Sequence, residues 1–246
     1  MTVDALTFVG ESIFGRSSTV PGLLAALDAA GVVRAVVAPH KPPGYHLAAA
    51  NDAVAAAVAA GGGRLTGLAR VDPLQGAAAA AELERALDLG LRGLFLHPWE
   101  ETFRIADAVV DRVVAVARER SVPVVVASGY PWLSEALQVG ALAERFPQVT
   151  FVATNGLQLN ISGLGQVDAQ LALADAPNLL LLTSGVYRED FLEGVVRRFG
   201  CERLLYASAF PYFDPRLEVR RVQWAAFDEE EQAALLHGNA ERVFSI

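Results

Sequence analysis

The chain has 246 residues, 53% hydrophobic and 20% charged, with a formal net charge of −8. That much apolar material supports a folded core and excludes a disordered chain. The negative field disfavours nucleic acid and anionic membranes as partners.

The start, Met1 to Leu6, has no basic stretch leading into an apolar segment, and no apolar run is long enough to span a bilayer, so the expected location is the cytoplasm. A short β-rich run followed by a helical stretch rich in Ala, Leu, Glu and Arg then recurs along the chain. The predicted pairs are strand Val3–Val9 with helix Gly22–Ala30, Val33–Ala38 with Ala48–Ala60, Leu65–Arg70 with Ala77–Leu89, and Gly93–Leu96 with Ile105–Arg120. Pro123–Ala127 with Leu133–Phe146, Thr150–Ala153 with Gln166–Asp175, Leu179–Thr183 with Glu189–Phe199, and Leu204–Ala207 with Leu217–Ala226 complete the series. Asp228–Glu231 opens a closing helix, where acids suit the N-terminal dipole. Runs such as Leu179–Leu182 are continuously apolar, as parallel strands buried on both faces require.

Such alternation gives a closed (β/α)8 TIM barrel or an open doubly wound sheet. The repeat count favours the barrel, in a single domain over residues 1–246. No Gly-x-Gly-x-x-Gly follows the first strand, and Gly61–Gly63 precedes a strand, where it reads as a helix stop. Cys201, the single cysteine, has no internal disulfide partner and reads as a buried structural thiol beside Leu204 and Leu205.

The segments Gly67–Pro73 (GLARVDP), Gly90–Pro98 (GLRGLFLHP), Val122–Gly129 (VPVVVASG), Arg145–Pro147, Pro177–Asn178, Phe199–Gly200, Arg203–Pro211 (RLLYASAFP) and Gly238–Phe244 (GNAERVF) stand in a characteristic order and spacing. Together they resemble the amidohydrolase-related family of metal-dependent TIM-barrel hydrolases and decarboxylases, over Asp4 to Phe244. The resemblance implies a barrel mouth holding a divalent cation that polarises a carbonyl and generates hydroxide near neutral pH.

This chain departs from the family's pattern where the ligands belong. Asp-x-His-x-His-x-Gly is here Asp4-Ala-Leu6-Thr-Phe8-Val-Gly10. The histidine after the fifth strand is Ala127, the one after the sixth aligns with Asn155, and Gly-Ser-Asp-x-Pro is Ala207-Ser-Ala209-Phe-Pro211. Leu6, Phe8, Ala127, Asn155 and Ala209 therefore mark lost metal positions, and all but Asn155 offer no lone pair. The lysine some relatives carry at the fourth strand is also missing, with Phe95 and His97 in that stretch. His40, His46, His97 and His237 are scattered in sequence. No metal and no other cofactor is expected.

Barrel enzymes place their chemistry at the C-terminal strand ends. The expected mouth residues are Glu11, His40, His97, Trp99, Glu100, Ser128, Tyr130, Trp132, Asn155, Ser184, Tyr187 and Tyr212. His97, just past the fourth strand, reads either as an acid–base group partnered by Glu11 or Glu100, or as a hydrogen-bonded support. Ser128, Ser184 and Ser208 lack a nucleophile elbow and read as hydrogen-bonding serines. Asn155 is a donor to a substrate carbonyl or a cap on its loop. Trp99, Tyr130, Trp132 and Tyr212 clasp a planar ligand, or pack in a lid or a homodimer contact. Arg16 and Arg188 receive a carboxylate or stay on the surface.

Two functions follow. The first is a metal-independent hydrolase or lyase acting on a small organic molecule, with His97 moving the proton. The second is a non-catalytic pseudoenzyme that binds a small molecule or a protein partner. An open cavity with His97 in reach of an acid favours the first, and a cavity plugged by Leu6, Phe8 and Phe210 favours the second.

Overall fold

A computed structural model describes residues 1–44, 47–159 and 163–246; His46 lies outside the described residues. The strands are β1 (Val3–Glu11), β2 (Ser17–Ser18), β3 (Arg34–Pro39), β4 (Leu65–Gly67), β5 (Ala69–Arg70), β6 (Leu94–Leu96), β7 (Val124–Val126), β8 (Phe151–Ala153), β9 (Leu179–Leu182) and β10 (Leu204–Leu205). The helices are α1 (Val20–Ala30), α2 (Ala48–Ala60), α3 (Ala77–Asp88), α4 (Pro98–Glu101), α5 (Asp111–Glu119), α6 (Ala136–Arg145), α7 (Gly163–Asp175), α8 (Glu189–Phe199), α9 (Pro215–Trp224), α10 (Glu229–Ala233) and α11 (Asn239–Phe244).

Parallel pairing links β1, β3 and β4 in one arc and β5 to β10 in another. The arcs meet at Leu68, whose N–H donates to the Val37 carbonyl at 2.8 Å, while the Ala69 N–H donates to Gly93 at 2.8 Å. The strand predicted over Leu65–Arg70 is thus one strand that changes neighbour halfway. The other seam closes where Ala5 N–H donates to Tyr206 (2.9 Å), Phe8 N–H to Phe210 (2.8 Å) and Ala209 N–H to Leu6 (2.9 Å). Strand and helix alternation has therefore closed into the (β/α)8 barrel.

Two apolar layers hold it. Leu6, Phe8, Val36, Leu68, Phe95, Val125, Val152, Leu182 and Leu205 fill the barrel interior, and Ala240 and Phe244 of α11 join them. The alternate strand residues, Leu94, Leu96, Val124, Val126, Phe151, Leu179 and Leu181, pack outward beneath the helices. This follows from the two-residue side-chain period of a strand.

Several boundaries differ from the predicted ones for local reasons. β1 runs on to Glu11 because Gly10 and Glu11 pair antiparallel with Ser18 and Ser17. The predicted helix over Ile105–Arg120 starts only at Asp111, with α4 formed separately. α6 starts at Ala136 because Glu135 and Gln138 form a reciprocal cap. α9 starts at Pro215, where the Asp214 side chain accepts from Arg216 N–H. Gly62 and Gly63 have φ of +60° and +81°, the backbone of a helix stop. Cys201 is half-buried rather than buried, packed against the outer layer. No helix among the described residues is long and apolar enough to cross a membrane.

The closing seam carries a buried acid. Asp4 is fully enclosed; its Oδ2 accepts from Ser208 Oγ at 2.5 Å, and its Oδ1 accepts from the N–H of Ser208 (2.9 Å) and of Leu6 (3.2 Å). Burial outweighs these three donors and raises its pKa to about 7.

Candidate functional site

A cavity of about 340 Å³ opens at the C-terminal end of the strands, within the size range of small-molecule sites. Leu6 and Phe8 of β1, Phe95 of β6, Ala127 after β7 and Ala209 after β10 give it an apolar lining. Phe210 is not among its lining residues. Leu6 and Phe8 narrow the cavity without plugging it.

One wall is polar because β5 ends in an arginine. Arg70 is 1% exposed, and each of its three guanidinium nitrogens has an acceptor. Nε and Nη2 donate to Glu101 Oε1 at 3.2 and 2.8 Å, Nη1 donates to the Pro39 carbonyl at 3.2 Å, and Nη2 also meets Glu100. Lys41 Nζ lies 3.1 Å from Glu101 Oε1. Two cations and two carboxylates thus cancel in a water-poor place, the condition under which buried charges persist. Burial raises the Glu101 pKa, against the pull of Arg70 and Lys41.

His97 sits beside this wall as the N-cap of α4. Its Nδ1 accepts the Glu100 N–H at 3.3 Å, which assigns the proton of the neutral ring to Nε2, 3.8 Å from Glu100 Oε1. Burial, then Arg70, holds its pKa well below the usual range. The nitrogen with a free lone pair is therefore already occupied, so His97 can donate a hydrogen bond but is not a ready base. Replacing His97 by alanine should cost about 1 kcal/mol of stability through loss of the cap, read by urea denaturation, and His97→Asn should recover most of it.

His40, after β3, lines the cavity and is 3% exposed. Its ring stacks on Phe8 at 5.2 Å and meets Tyr212 edge-on at 5.7 Å. Burial, then Arg70 and Arg16, lowers its pKa to about 4, so it is neutral near pH 7. Its Nε2 has no hydrogen-bond partner among the described residues. At the mouth Trp99 and Tyr130 stack at 5.8 Å with their planes 12° apart, and Tyr130 also lies 5.3 Å from His97.

The structure thus brings His40, His97, Trp99, Glu100, Tyr130, Asn155, Tyr212 and Arg16 to one cavity. It leaves others outside. Glu11 is exposed on the hairpin with β2 and does not line the cavity, so it cannot serve as the acid partner of His97. Ser128 is fully buried away from the cavity, its Oγ donating to the Thr154 carbonyl at 2.5 Å. Ser184 is buried and also absent from the lining. Ser208 is spent on Asp4. Trp132 and Tyr187 are exposed and do not line the cavity, and Arg188 pairs with Asp190 at the surface. Asn155 lines the cavity, but its Nδ2 donates to the Ser128 carbonyl at 3.3 Å and Thr154 Oγ1 at 3.0 Å, and its φ is +53°. That amide caps its own loop, in a conformation Asn tolerates well.

Arg70, Glu101 and Lys41 are not among the residues the sequence points to. The available signal was a charged residue inside an apolar strand, since an arginine there needs carboxylates brought by the fold. Lys41, the single lysine, directly follows His40.

Leu6, Phe8, Ala127, Asn155 and Ala209 all line the cavity, so the positions where the family holds its cation converge as the pattern requires. Four of these side chains have no donor atom, and Asn155 offers a single amide oxygen, its Nδ2 being engaged in its loop. No group of three or more His, Cys, Asp or Glu among the described residues is placed to hold a metal ion. The residues present do not fit a divalent cation.

Fold and site together define a (β/α)8 barrel with an apolar cavity at its mouth. The amidohydrolase family profile matches residues 18–246, and the chain belongs to that family. No curated protein matches it. Among solved structures, 5-carboxyvanillate decarboxylase from Sphingomonas paucimobilis is 22% identical with a TM-score of 0.76, covering 94% of this chain and 84% of that one. 2,6-Dihydroxybenzoate decarboxylase from Rhizobium is 17% identical with a TM-score of 0.76, covering 99% and 98%. A 5-carboxyvanillate decarboxylase from Novosphingobium aromaticivorans, complexed with manganese, is 16% identical with a TM-score of 0.76, covering 100% and 96%. At these identities the likeness is one of fold.

Proposed function

We propose that this chain is a metal-independent member of the amidohydrolase family that binds a small organic molecule at the barrel mouth. The observation that carries the reading is the open cavity whose former metal positions are Leu6, Phe8, Ala127, Asn155 and Ala209. An apolar pocket with a few convergent polar groups is the form a small-molecule site takes. Metal-made hydroxide has no support in this donor set, and Ser128, Ser184 and Ser208 lie outside the cavity lining, so recognition outlives the family's chemistry.

A second reading keeps an enzyme. The neutral His40 in the cavity, with Nε2 unpartnered, is a group able to exchange a proton with a bound molecule, which suits a metal-free lyase or isomerase. His97 is then a hydrogen-bond donor.

The test is a thermal-shift screen of small aromatic and aliphatic fragments, run with and without EDTA. Hits that stabilise the protein equally in both conditions are expected. Stabilisation that disappears with the chelator contradicts the reading. Turnover of a hit, lost on His40→Phe, would move the assignment to the enzyme.

A further inference from the structure

We propose that the outer face of α6 and α7 is the contact through which two copies of this chain pair as a dimer. A helix lying on a barrel buries one face and shows water the other, and that outer face is ordinarily polar. On α5 and α8 the exposed residues are all charged: Arg112, Arg118 and Glu119 on the first, Asp190, Arg197 and Arg198 on the second. α7 departs from this. Ala169, Ala172 and Leu173 turn inward and are no more than 1% exposed, yet Leu164, Val167, Leu171 and Ala174 are exposed, the first three at 79%, 55% and 45%. Their spacing of three, four and three residues puts them in one line along the helix, the positions of a seam that packs against another helix. A helix apolar on both sides is one that is covered on both sides. α6 widens the line into a face. Leu137 and Ala141 are exposed one turn apart, and the two helices lie close, since a Cβ at Gly140 would stand 3.0 Å from the Ala172 Cβ.

The occupant follows from charge and size. The line carries no charged residue, and α7 as a whole has two aspartates, Asp168 and Asp175, and no Lys or Arg. A helix that lies on a membrane surface needs basic residues beside its apolar face, so lipid does not suit it. A charged protein partner finds nothing in the line to pair with. A second copy fits, because a closed pair uses the same patch twice and a charge-free row of Leu and Val is complementary to itself. Trp132, 76% exposed, stands where the chain enters α6, its carbonyl accepting from Gln138 Nε2 at 3.1 Å. Together these side chains offer on the order of 400 Å² of apolar surface. A stable interface takes about 800 Å² from each partner, somewhat over half of it apolar, so the face is of the size a dimer uses.

Sedimentation velocity on the full chain, from about 1 to about 100 µM, tests this. A dimer with a dissociation constant below about 10 µM is expected. Val167→Glu and Leu171→Glu, each at an exposed position, should keep the parent's circular dichroism and weaken pairing at least about a hundredfold, because each puts an unpaired charge into the contact. Trp224→Glu, at an exposed residue of α9, should leave pairing unchanged. A monomer throughout overturns the proposal. A dimer that survives both α7 variants, or that Trp224→Glu loosens as much, overturns the assignment to this face. Hydrogen exchange of the parent needs no variant: peptides of α6 and α7 should exchange more slowly at the higher concentration, and unchanged exchange there overturns the contact. Pairing should hold or tighten as sodium chloride is raised, since two chains of charge −8 then repel less. Loosening by salt overturns the apolar seam as its basis.

Discussion

Replacing Arg70 by methionine is expected to destabilise the protein by about 3–5 kcal/mol at pH 7.5, read as a shift of the urea unfolding midpoint. The guanidinium is the hub of the polar wall, and Glu101 and Glu100 are 0% and 6% exposed at their side chains. Removing Arg70 leaves two buried carboxylates with only Lys41, which reaches Glu101. Methionine fills the arginine's volume, so the loss reports on charge rather than on a cavity. The double variant Arg70→Met with Glu101→Gln should recover a substantial part of the loss, because one uncompensated charge goes with the arginine. The deficit should also shrink as pH falls, because the Glu101 carboxyl, already raised by burial, loses the cation that held it ionised. A loss under about 1 kcal/mol would show that the wall is solvated and that its charges do not depend on one another.

The second large effect is at Asp4. Its folded pKa of about 7 lies above the ordinary aspartate value of 3.8, so between those values the folded chain holds a proton that the unfolded chain has released. Stability contributed by the protonated acid is therefore present below about pH 4 and lost as pH rises through about 7. Asp4→Asn keeps the acceptor for Ser208 and Leu6 N–H but cannot ionise. The variant should gain stability relative to the parent as pH rises from about 4 to about 7, by on the order of 3–4 kcal/mol, with no further gain above. His40, with its lowered pKa, acts in the opposite sense, since it destabilises the fold as pH falls from about 6.5 towards about 4. Comparing variant with parent at each pH cancels that contribution. Parallel curves for the two proteins would show Asp4 ionised in the fold throughout.

Most of the barrel is legible in the sequence because its signals are local. A run such as Leu179–Leu182 and a helix stop such as Gly61–Gly63 act over a few residues. The site is legible only where the same is true. Leu6, Phe8, Ala127 and Ala209 are placed by strand register and all reach the cavity. Ser128 shows how register also corrects: Ala127 faces in, so its neighbour must face out, towards Thr154. Glu11 lies just past the predicted first strand, but β1 continues through that residue into a hairpin that carries it into solvent. Arg70 stayed hidden because its partners, Glu100 and Glu101, are brought to it by the next β/α unit. His97 is ambiguous in sequence because its role turns on which ring nitrogen is occupied, and only the α4 backbone decides that.

The most direct test of the account is the metal content of the protein after incubation with excess manganese and zinc and removal of free ions by gel filtration. Far less than one ion per chain is expected. No change in melting temperature on metal addition is expected either, because Leu6, Phe8, Ala127 and Ala209 have nothing to bind with. One tightly held ion per chain, lost together with ligand binding when Asn155 is replaced by alanine, would contradict it.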